Sequence, residues 1–309
     1  MVKVFIDGSA GTTGLRIHER LAIREDIKLI TLLESERKSI SKRKKALNSA
    51  DIAFLCLPDE AAIESVSLID NPDTVVIDAS TAHRTNPDWA YGFLESGDEI
   101  YSKVKTSKRI CIPGCHATGF ISLVKPLIET NIVPKDYPFS CTSLTGYSGG
   151  GKSMISQYED KNRDVSLSCP RIYALTQTHK HLNEMKRYTG ISDYPLFSPV
   201  VCDIYSMMCV TVNICVKGIG IKDICDIYTD KYGNRPLFDV KDIHADSYSG
   251  FIPSDAFKNK DSIKITVTGN DERISLTALY DNLGKGASGA AIQILNVITG
   301  KDETKGLSI

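Results

Sequence analysis

Short apolar runs, separated by polar or helical stretches, set the rhythm of the first hundred residues. Val2-Lys-Val-Phe-Ile6 reads as a buried strand, and Ile27 to Leu33, Ile52 to Leu57, Val75 to Ile77 and Arg109 to Ile112 repeat the theme. Each run is too short for a stable helix and is followed by polar or turn residues, so each predicts a strand. After the first strand, Leu15, Leu21 and Ile23 suit a helix that follows the glycine-rich turn Gly8 to Gly14. Short buried strands joined by crossovers predict an α/β fold with a doubly wound parallel sheet. Past about Cys115 the texture changes. An apolar helix over Phe120 to Ile128 leads into longer, alternating segments such as Cys209 to Val216 and Ile263-Ile265-Val267, which predict a second, α+β domain. Ile263 to Thr268 and Ile274 to Leu279 form an expected hairpin through Gly269-Asn270-Asp271. The final segment, with Ala287, Ala290, Ala291, Ile294, Leu295 and Ile298, has helical spacing and small residues suited to packing on a sheet.

Composition narrows the function classes. A chain of 309 residues suggests about two domains, and 42% hydrophobic with 24% charged residues excludes a disordered, collagen-like or coiled-coil protein. Thirty-seven basic against 38 acidic residues leave a net charge of −1, so no overall field attracts nucleic acid or an anionic membrane, and neither is expected as a partner. An anionic ligand must be held locally. No apolar run approaches the ~20 residues of a membrane span, and the first residues run into a strand instead of a signal peptide, so a cytoplasmic location is expected. Nine cysteines, with Cys56, Cys202, Cys209 and Cys215 in apolar segments, show neither paired nor metal-ligand spacing. Most are expected to be buried thiols, and no metal site is predicted.

Gly8-Ser9-Ala10-Gly11-Thr12-Thr13-Gly14 follows a strand and opens a helix, the setting in which a helix N-terminus holds a pyrophosphate. Its GxxGxxG spacing also suits a tight turn without a ligand. At the end of the second strand, Glu34 permits NAD, whereas Ser35, Arg37 and Lys38 offer a hydroxyl and two cations to a 2′-phosphate, which favours NADP. The basic run Lys42-Arg43-Lys44-Lys45 reads as a solvated face.

Pro113-Gly114-Cys115 places one thiol just past a strand, at the start of an apolar helix. There the dipole and unpaired N–H groups favour thiolate, moving a pKa of about 8.5 toward neutrality. Cys115 is therefore the candidate nucleophile, and Cys111, on the strand side, is a core residue. A thioester mechanism needs a proton carrier. The histidines are His18, His83, His116, His179, His181 and His244, and His179-Lys180-His181-Leu182-Asn183-Glu184 is the densest set. Histidines two apart face different ways on a helix, so one can face the site while the other turns away.

Taken together, Gly8 to Gly14, Asp78-Ala-Ser-Thr-Ala-His-Arg84, Pro113-Gly-Cys115, Gly146-Tyr-Ser-Gly-Gly-Gly-Lys152, His179 to Glu184 and Asp281-Asn-Leu-Gly-Lys-Gly-Ala-Ser-Gly289 resemble the N-acetyl-gamma-glutamyl-phosphate reductases in their short (type 2) form, nearly end to end. The resemblance implies an NADP-dependent oxidoreductase of arginine biosynthesis in the semialdehyde dehydrogenase superfamily. It implies a Rossmann-type NADP-binding domain over 1–114, a catalytic and dimerisation domain over 115–282, and a C-terminal stretch, 283–309, that returns to the first. Cys115 becomes the nucleophile, His179 the acid/base with His181 as runner-up, and Glu184 the group that orients the imidazole. Arg84 becomes the holder of the substrate phosphate, and Ser148, Gly149 and Lys152 line the substrate site. Ser80, Asn282, Gly284, Lys285 and Gly286 join the glycine loop on the cofactor side. A homodimer or homotetramer follows. Three positions depart from the family pattern: Ile112 replaces the usual Asn, Asn183 the usual Pro, and His116 a common tyrosine, which makes His116 a competing base by proximity.

The chemistry these residues support is attack of the Cys115 thiolate on an acyl phosphate, loss of phosphate, and hydride reduction of the thioester to a semialdehyde. Alternatives are a sister reductase acting on aspartyl or aminoadipyl phosphate and, from another class, a non-catalytic NADP-sensing protein. A sensor has no need of a nucleophile beside paired histidines.

Overall fold

The computed structural model describes residues 1–241 and 249–309, and these divide into two compact units: Met1–Pro113 with Ala287–Gly306, and Gly114–Gly286 with Leu307–Ile309. His244 lies outside the described residues.

The first unit is built on strands β1 (Val2–Asp7), β2 (Ile27–Ile30), β3 (Ile52–Leu55), β4 (Val75–Asp78), β5 (Ala90–Tyr91) and β6 (Arg109–Cys111). They form one sheet in the order β2-β1-β3-β4-β6-β5, with every pairing parallel. Helices α1 (Thr12–Ala22), α2 (Ile40–Ser49), α3 (Asp59–Ser67) and α4 (Asp98–Thr106) make the crossovers. This is the doubly wound sheet that the run of short apolar strands predicts. Burial on both faces explains why β3, Ile52–Leu55, is apolar at every position. Strand order reverses between β1 and β3, and ligands of such sheets sit beyond the strand ends at that point. The C-terminal helix, Gly289–Ile298, belongs to this unit. Arg24 donates to Asn296 at 2.6 Å, and Gln293 donates to the buried Glu95 at 2.7 Å.

The basic run Lys42 to Lys45 is not the uniformly solvated face that its charge suggests. Arg43 is buried, not solvated: its guanidinium reaches Asp7 at the end of β1, Glu64 at 2.6 Å and the Ser65 hydroxyl at 2.6 Å. The run does not show this, because α2 rotates only one of its four neighbouring cations toward the sheet. Removing that cation strands the buried Asp7 carboxylate, so Arg43→Ala should lower stability by about 3 kcal/mol. The urea midpoint at unchanged slope measures this, and a shift within error of zero would contradict the account.

The second unit begins with α5 (Cys115–Glu129), followed by β7 (Ser140–Gly146), α6 (Gly151–Glu159), β8 (Arg171–Ile172), α7 (Leu182–Thr189), β9 (Leu196–Cys202), β10 (Met208–Ile214), α8 (Ile221–Tyr232), β11 (Phe238–Asp239), β12 (Ile263–Asn270) and β13 (Arg273–Tyr280). Its mixed seven-stranded sheet runs β11-β12-β13-β10-β7-β9-β8. The expected hairpin is present as β12 and β13, with Asn270 paired to Arg273. The turn falls at Asp271-Glu272, one residue later than expected, because the Asn270 side chain accepts from the N–H groups of Glu272 and Arg273. Helix α5 is buried almost all round, as its composition requires. Tyr228 and Tyr232 of α8 donate to the α5 carbonyls of Leu123 and Ser122, at 2.6 and 3.0 Å. The helix that carries the thiol is thus tied to α8 at its middle.

Candidate active site

In the first unit the glycine loop turns tightly at the end of β1. Gly8 has φ +87°, and a Cβ there would lie 2.3 Å from the Cys56 carbonyl oxygen at the end of β3, so only glycine fits. The loop therefore lies against the strand ends at the reversal point. Gly11 donates to the Gly8 carbonyl at 2.9 Å and stands, extended, before the first turn of α1. By helix geometry the N–H groups of that turn have no acceptor inside the helix. The Thr12 hydroxyl is buried there with no hydrogen-bond partner. A buried hydroxyl left unpaired costs about 1–3 kcal/mol, which an anionic oxygen at this spot would recover. The loop fits a phosphate.

At the end of β2, Glu36 is engaged by Lys42 at 2.9 Å and by the Leu33 N–H. Ser35, Arg37 and Lys38 are exposed, and among the described residues Arg37 and Lys38 have no ion-pair partner. Beyond β4, one buried carboxylate organises the next loop. Asp78 accepts from the Ser80 N–H and hydroxyl at 2.8 and 2.7 Å and bonds His83 Nδ1 at 2.6 Å. The His83 ring stacks on Trp89 at 4.0 Å, and the neighbouring Arg84 is buried with Nη2 donating to the Ala79 carbonyl. Ile112 is buried and its N–H donates to the Asp78 carbonyl at 2.7 Å.

In the second unit Cys115 is the first residue of α5 and half-buried. The turn before it is tied down from α7: the Glu184 carboxylate, itself buried, accepts from the Gly114 N–H at 2.8 Å. The Tyr280 hydroxyl donates to the Cys115 carbonyl and accepts from the Gly119 N–H. Gly286 packs directly on the thiol residue, where an added Cβ would come within 3.0 Å of the Cys115 Cβ.

Three imidazoles surround this turn. The Cys115 Sγ and ring nitrogens of His116 and His181 lie within 4.8 Å of one another. His179 packs against both other rings, with centroids 5.5 Å from His116 and 4.7 Å from His181, and its Nδ1 accepts the His181 N–H at 3.2 Å. His116 bonds the Ser143 hydroxyl through Nδ1 at 2.6 Å and the Tyr173 hydroxyl through Nε2 at 2.7 Å. Burial, with a smaller contribution from His179, pushes the His116 imidazole down to about 3. His116 is thus a fixed, neutral ring at physiological pH, a poor base despite its position. Burial and the nearby Cys115 hold the Tyr173 phenol well above its usual range, so it keeps its proton.

The remaining residues singled out in the sequence fall in several places. Ser148 is buried and accepts from Asn282 Nδ2 at 3.0 Å, while Asn282 Oδ1 accepts the Met207 N–H. Gly149 and Lys152 are exposed. Lys285 is buried, 5.9 Å over the Phe238 ring, in the π-helical turn Gly284–Ser288. Asn183 is exposed and accepts from the Tyr194 hydroxyl. Of the other cysteines, Cys111 is buried as expected; Cys215, just past the end of β10 at Ile214, is exposed, and so is Cys169. Burial pushes the thiols of Cys56, Cys141, Cys202, Cys209 and Cys225 upward. Ser143, Tyr173 and Tyr280 had no recognisable signal as site neighbours.

Comparison with known proteins places the chain in a family. Residues 3–102 match the NAD-binding domain of semialdehyde dehydrogenases, and residues 115–282 match the dimerisation domain of the same enzymes. The N-acetyl-gamma-glutamyl-phosphate reductase of Brucella anthropi is 40% identical over 307 residues, 97% of this chain and 99% of that protein. The reductase of that name from Sinorhizobium medicae is 40% identical over 304 residues, 96% and 98% of the two chains. Among solved structures, aspartate semialdehyde dehydrogenase from Francisella tularensis superposes with a TM-score of 0.72 at 14% identity, covering 97% of this chain and 100% of that one. The Candida albicans enzyme with NADP gives 0.66 at 15% identity over 98% and 99% of the chains. These two likenesses concern the fold. The chain is a nicotinamide-dinucleotide-binding oxidoreductase of the semialdehyde dehydrogenase family and belongs, within it, with the N-acetyl-gamma-glutamyl-phosphate reductases. Among the described residues, no helix is long and apolar enough to cross a membrane.

Proposed function

We propose that the protein reduces N-acetyl-L-glutamyl 5-phosphate to N-acetyl-L-glutamate 5-semialdehyde with NADPH, through a thioester on Cys115, in the cytoplasm as a step of arginine biosynthesis. The observation that carries this reading is the convergence of the Cys115 thiol with the His181 ring nitrogen at the start of α5, in a chain 40% identical to reductases of that name.

His181 takes the thiol proton, and the thiolate attacks the acyl carbon. The C–S bond forms as the C–O bond to phosphate breaks, and phosphate leaves with its charge balanced by Arg84. N–H groups of the first turn of α5 stabilise the tetrahedral oxyanion. When bound, the dinucleotide supplies the hydride that reduces the thioester. His181 then gives its proton to the thiohemiacetal oxygen and takes it back as the C–S bond breaks, releasing aldehyde and restoring thiolate. His179, the residue that the family resemblance favours, is assigned the support of His181 because its Nδ1 already accepts the His181 N–H. Glu184 holds the turn that aims the thiol. Ser148, Gly149 and Lys152 are assigned to the substrate side, and Ser80, Asn282, Gly284, Lys285 and Gly286 to the cofactor side. The dimerisation-domain match supports a homodimer or a homotetramer built from such dimers.

The glycine loop from Gly8 to Gly14 would hold the pyrophosphate, with the Thr12 hydroxyl donating to it. Ser35, Arg37 and Lys38 would take the 2′-phosphate. Replacing Arg37 and Lys38 together by Ala should raise the Michaelis constant for NADPH about tenfold or more and leave that for NADH nearly unchanged, since only the 2′-phosphate loses charged partners. Equal losses with both cofactors would reject the assignment.

The function as a whole is tested in the oxidative direction, by following nicotinamide absorbance in phosphate buffer with three aldehydes. N-acetylglutamate semialdehyde should be used far faster than aspartate semialdehyde or the aminoadipate analogue. Preference for either of the others would move the chain to a sister reaction, and no turnover with any would point to a sensor.

A further inference from the structure

The cluster at the start of α5 holds two imidazoles and one thiol, which is more than thioester chemistry requires. A thiol and a single proton carrier suffice for the reaction, yet His116 adds a second ring nitrogen within 4.8 Å of both. We infer that Cys115, His116 and His181 form a site for a divalent cation of borderline softness, Zn²⁺, whose occupancy reversibly silences the enzyme.

The donor set is one thiolate sulfur and two neutral imidazole nitrogens, a combination that zinc takes in tetrahedral geometry with a fourth position open to water. Bonds of about 2.0–2.3 Å to such ligands put the donor atoms roughly 3.5 Å apart. The three side chains need to draw in by about 1 Å, within the reach of side-chain rotation. The frame around them is suited to ligation. Metal-bound histidines usually keep a hydrogen bond on the second ring nitrogen, which fixes the ring. Whichever nitrogen of His116 turns to the ion, the other retains a hydroxyl partner, Ser143 on Nδ1 or Tyr173 on Nε2. The Cys115 backbone is held by Tyr280, and the preceding turn by Glu184. Binding is a proton-for-metal exchange: the thiol proton is released, the sulfur–zinc bond forms, and no electron is transferred. The ion then occupies the sulfur lone pair that attacks the acyl phosphate, and His181 can no longer take a proton. A spacing search misses this site because the ligands are adjacent residues 115 and 116 plus one 65 positions later.

The inference rests on the geometry of the cluster and not on the substrate proposed above, so its test reads binding first. Reduced protein carrying Cys169→Ser and Cys215→Ser, which removes the two exposed thiols, is titrated with Co²⁺ and then with Zn²⁺ against a chromophoric chelator. One equivalent of Co²⁺ should bring a near-ultraviolet thiolate-to-cobalt band and the strong visible bands of four-coordinate cobalt, and Zn²⁺ should erase both. Cys115→Ser should lose the near-ultraviolet band, and His116→Gln and His181→Gln should each weaken binding at least about tenfold. Alkylating Cys115 in the folded parent should also abolish the band, without dependence on how any variant folds. Activity should fall with zinc occupancy and return with a chelator. Cobalt binding without a thiolate band, affinity unchanged by His116→Gln in a variant with the parent's urea midpoint, or no binding at micromolar metal would each overturn the site. An inactive protein that binds cobalt as described would sink the proposed reaction and leave the site standing.

Discussion

Cys115→Ser should cost at least about a thousandfold in turnover, because a serine hydroxyl at that position has no comparably acidic proton and cannot form the thioester. The loss should appear in kcat, with the Michaelis constant for NADPH and the urea midpoint close to those of the parent. The residue sits at a helix start that is braced by Glu184 and Tyr280, so a one-atom change should leave the frame intact. The same frame governs modification. A brief pulse of iodoacetamide near neutral pH should label Cys115 ahead of Cys169 and Cys215, which are exposed but, among the described residues, have no imidazole cluster to assist them. Saturating acyl phosphate or semialdehyde should slow that labelling. A serine variant with more than a tenth of parental turnover, or rapid labelling elsewhere that abolishes activity, would remove Cys115 from the mechanism.

The second large effect separates the two histidines of the His-Lys-His segment. His181→Asn should reduce kcat by about 10²–10⁴-fold, the usual contribution of a positioned acid/base, and should abolish the pH dependence that the group imposes. His179→Asn should reduce it much less, because the His179 ring packs on His181 and its Nδ1 accepts the His181 N–H, which is a supporting place. The split between the two variants is the informative quantity: a structural role for both would lower their urea midpoints together and leave the pH profile of each in place. A larger loss at position 179 would return the acid/base role to His179 and leave His181 as its support.

Much of this was legible in the chain because it depends on neighbours in sequence. Short apolar runs such as Ile52 to Leu55 name their own strand, the glycine loop names its turn through Gly8, and Pro113-Gly114-Cys115 announces a thiol at a helix start. What stayed hidden depends on partners far along the chain. Arg43 looks like one of four surface cations until α2 turns it onto Asp7, 36 residues away. Tyr280 meets the Cys115 carbonyl from 165 residues further on, and Tyr173 meets His116 from 57. No local pattern records such meetings. The choice between His179 and His181 was open for the same reason. Two residues apart on one segment, they are told apart by their surroundings: His179 packs on Tyr173 and Phe197, whereas a His181 ring nitrogen comes within 4.8 Å of the Cys115 sulfur.

The central claim is a covalent acyl group on one sulfur, and mass spectrometry of the intact protein tests it without any assay of turnover. Protein stripped of dinucleotide, mixed with N-acetyl-L-glutamyl 5-phosphate and quenched in acid, should gain the mass of one N-acetylglutamyl group and release one equivalent of phosphate. Peptide mapping should place the adduct on Cys115, NADPH added before the quench should discharge it, and Cys115→Ser should show none. Stoichiometric turnover by a protein that never carries the adduct, or an adduct mapped to another residue and still discharged by NADPH, would contradict the account.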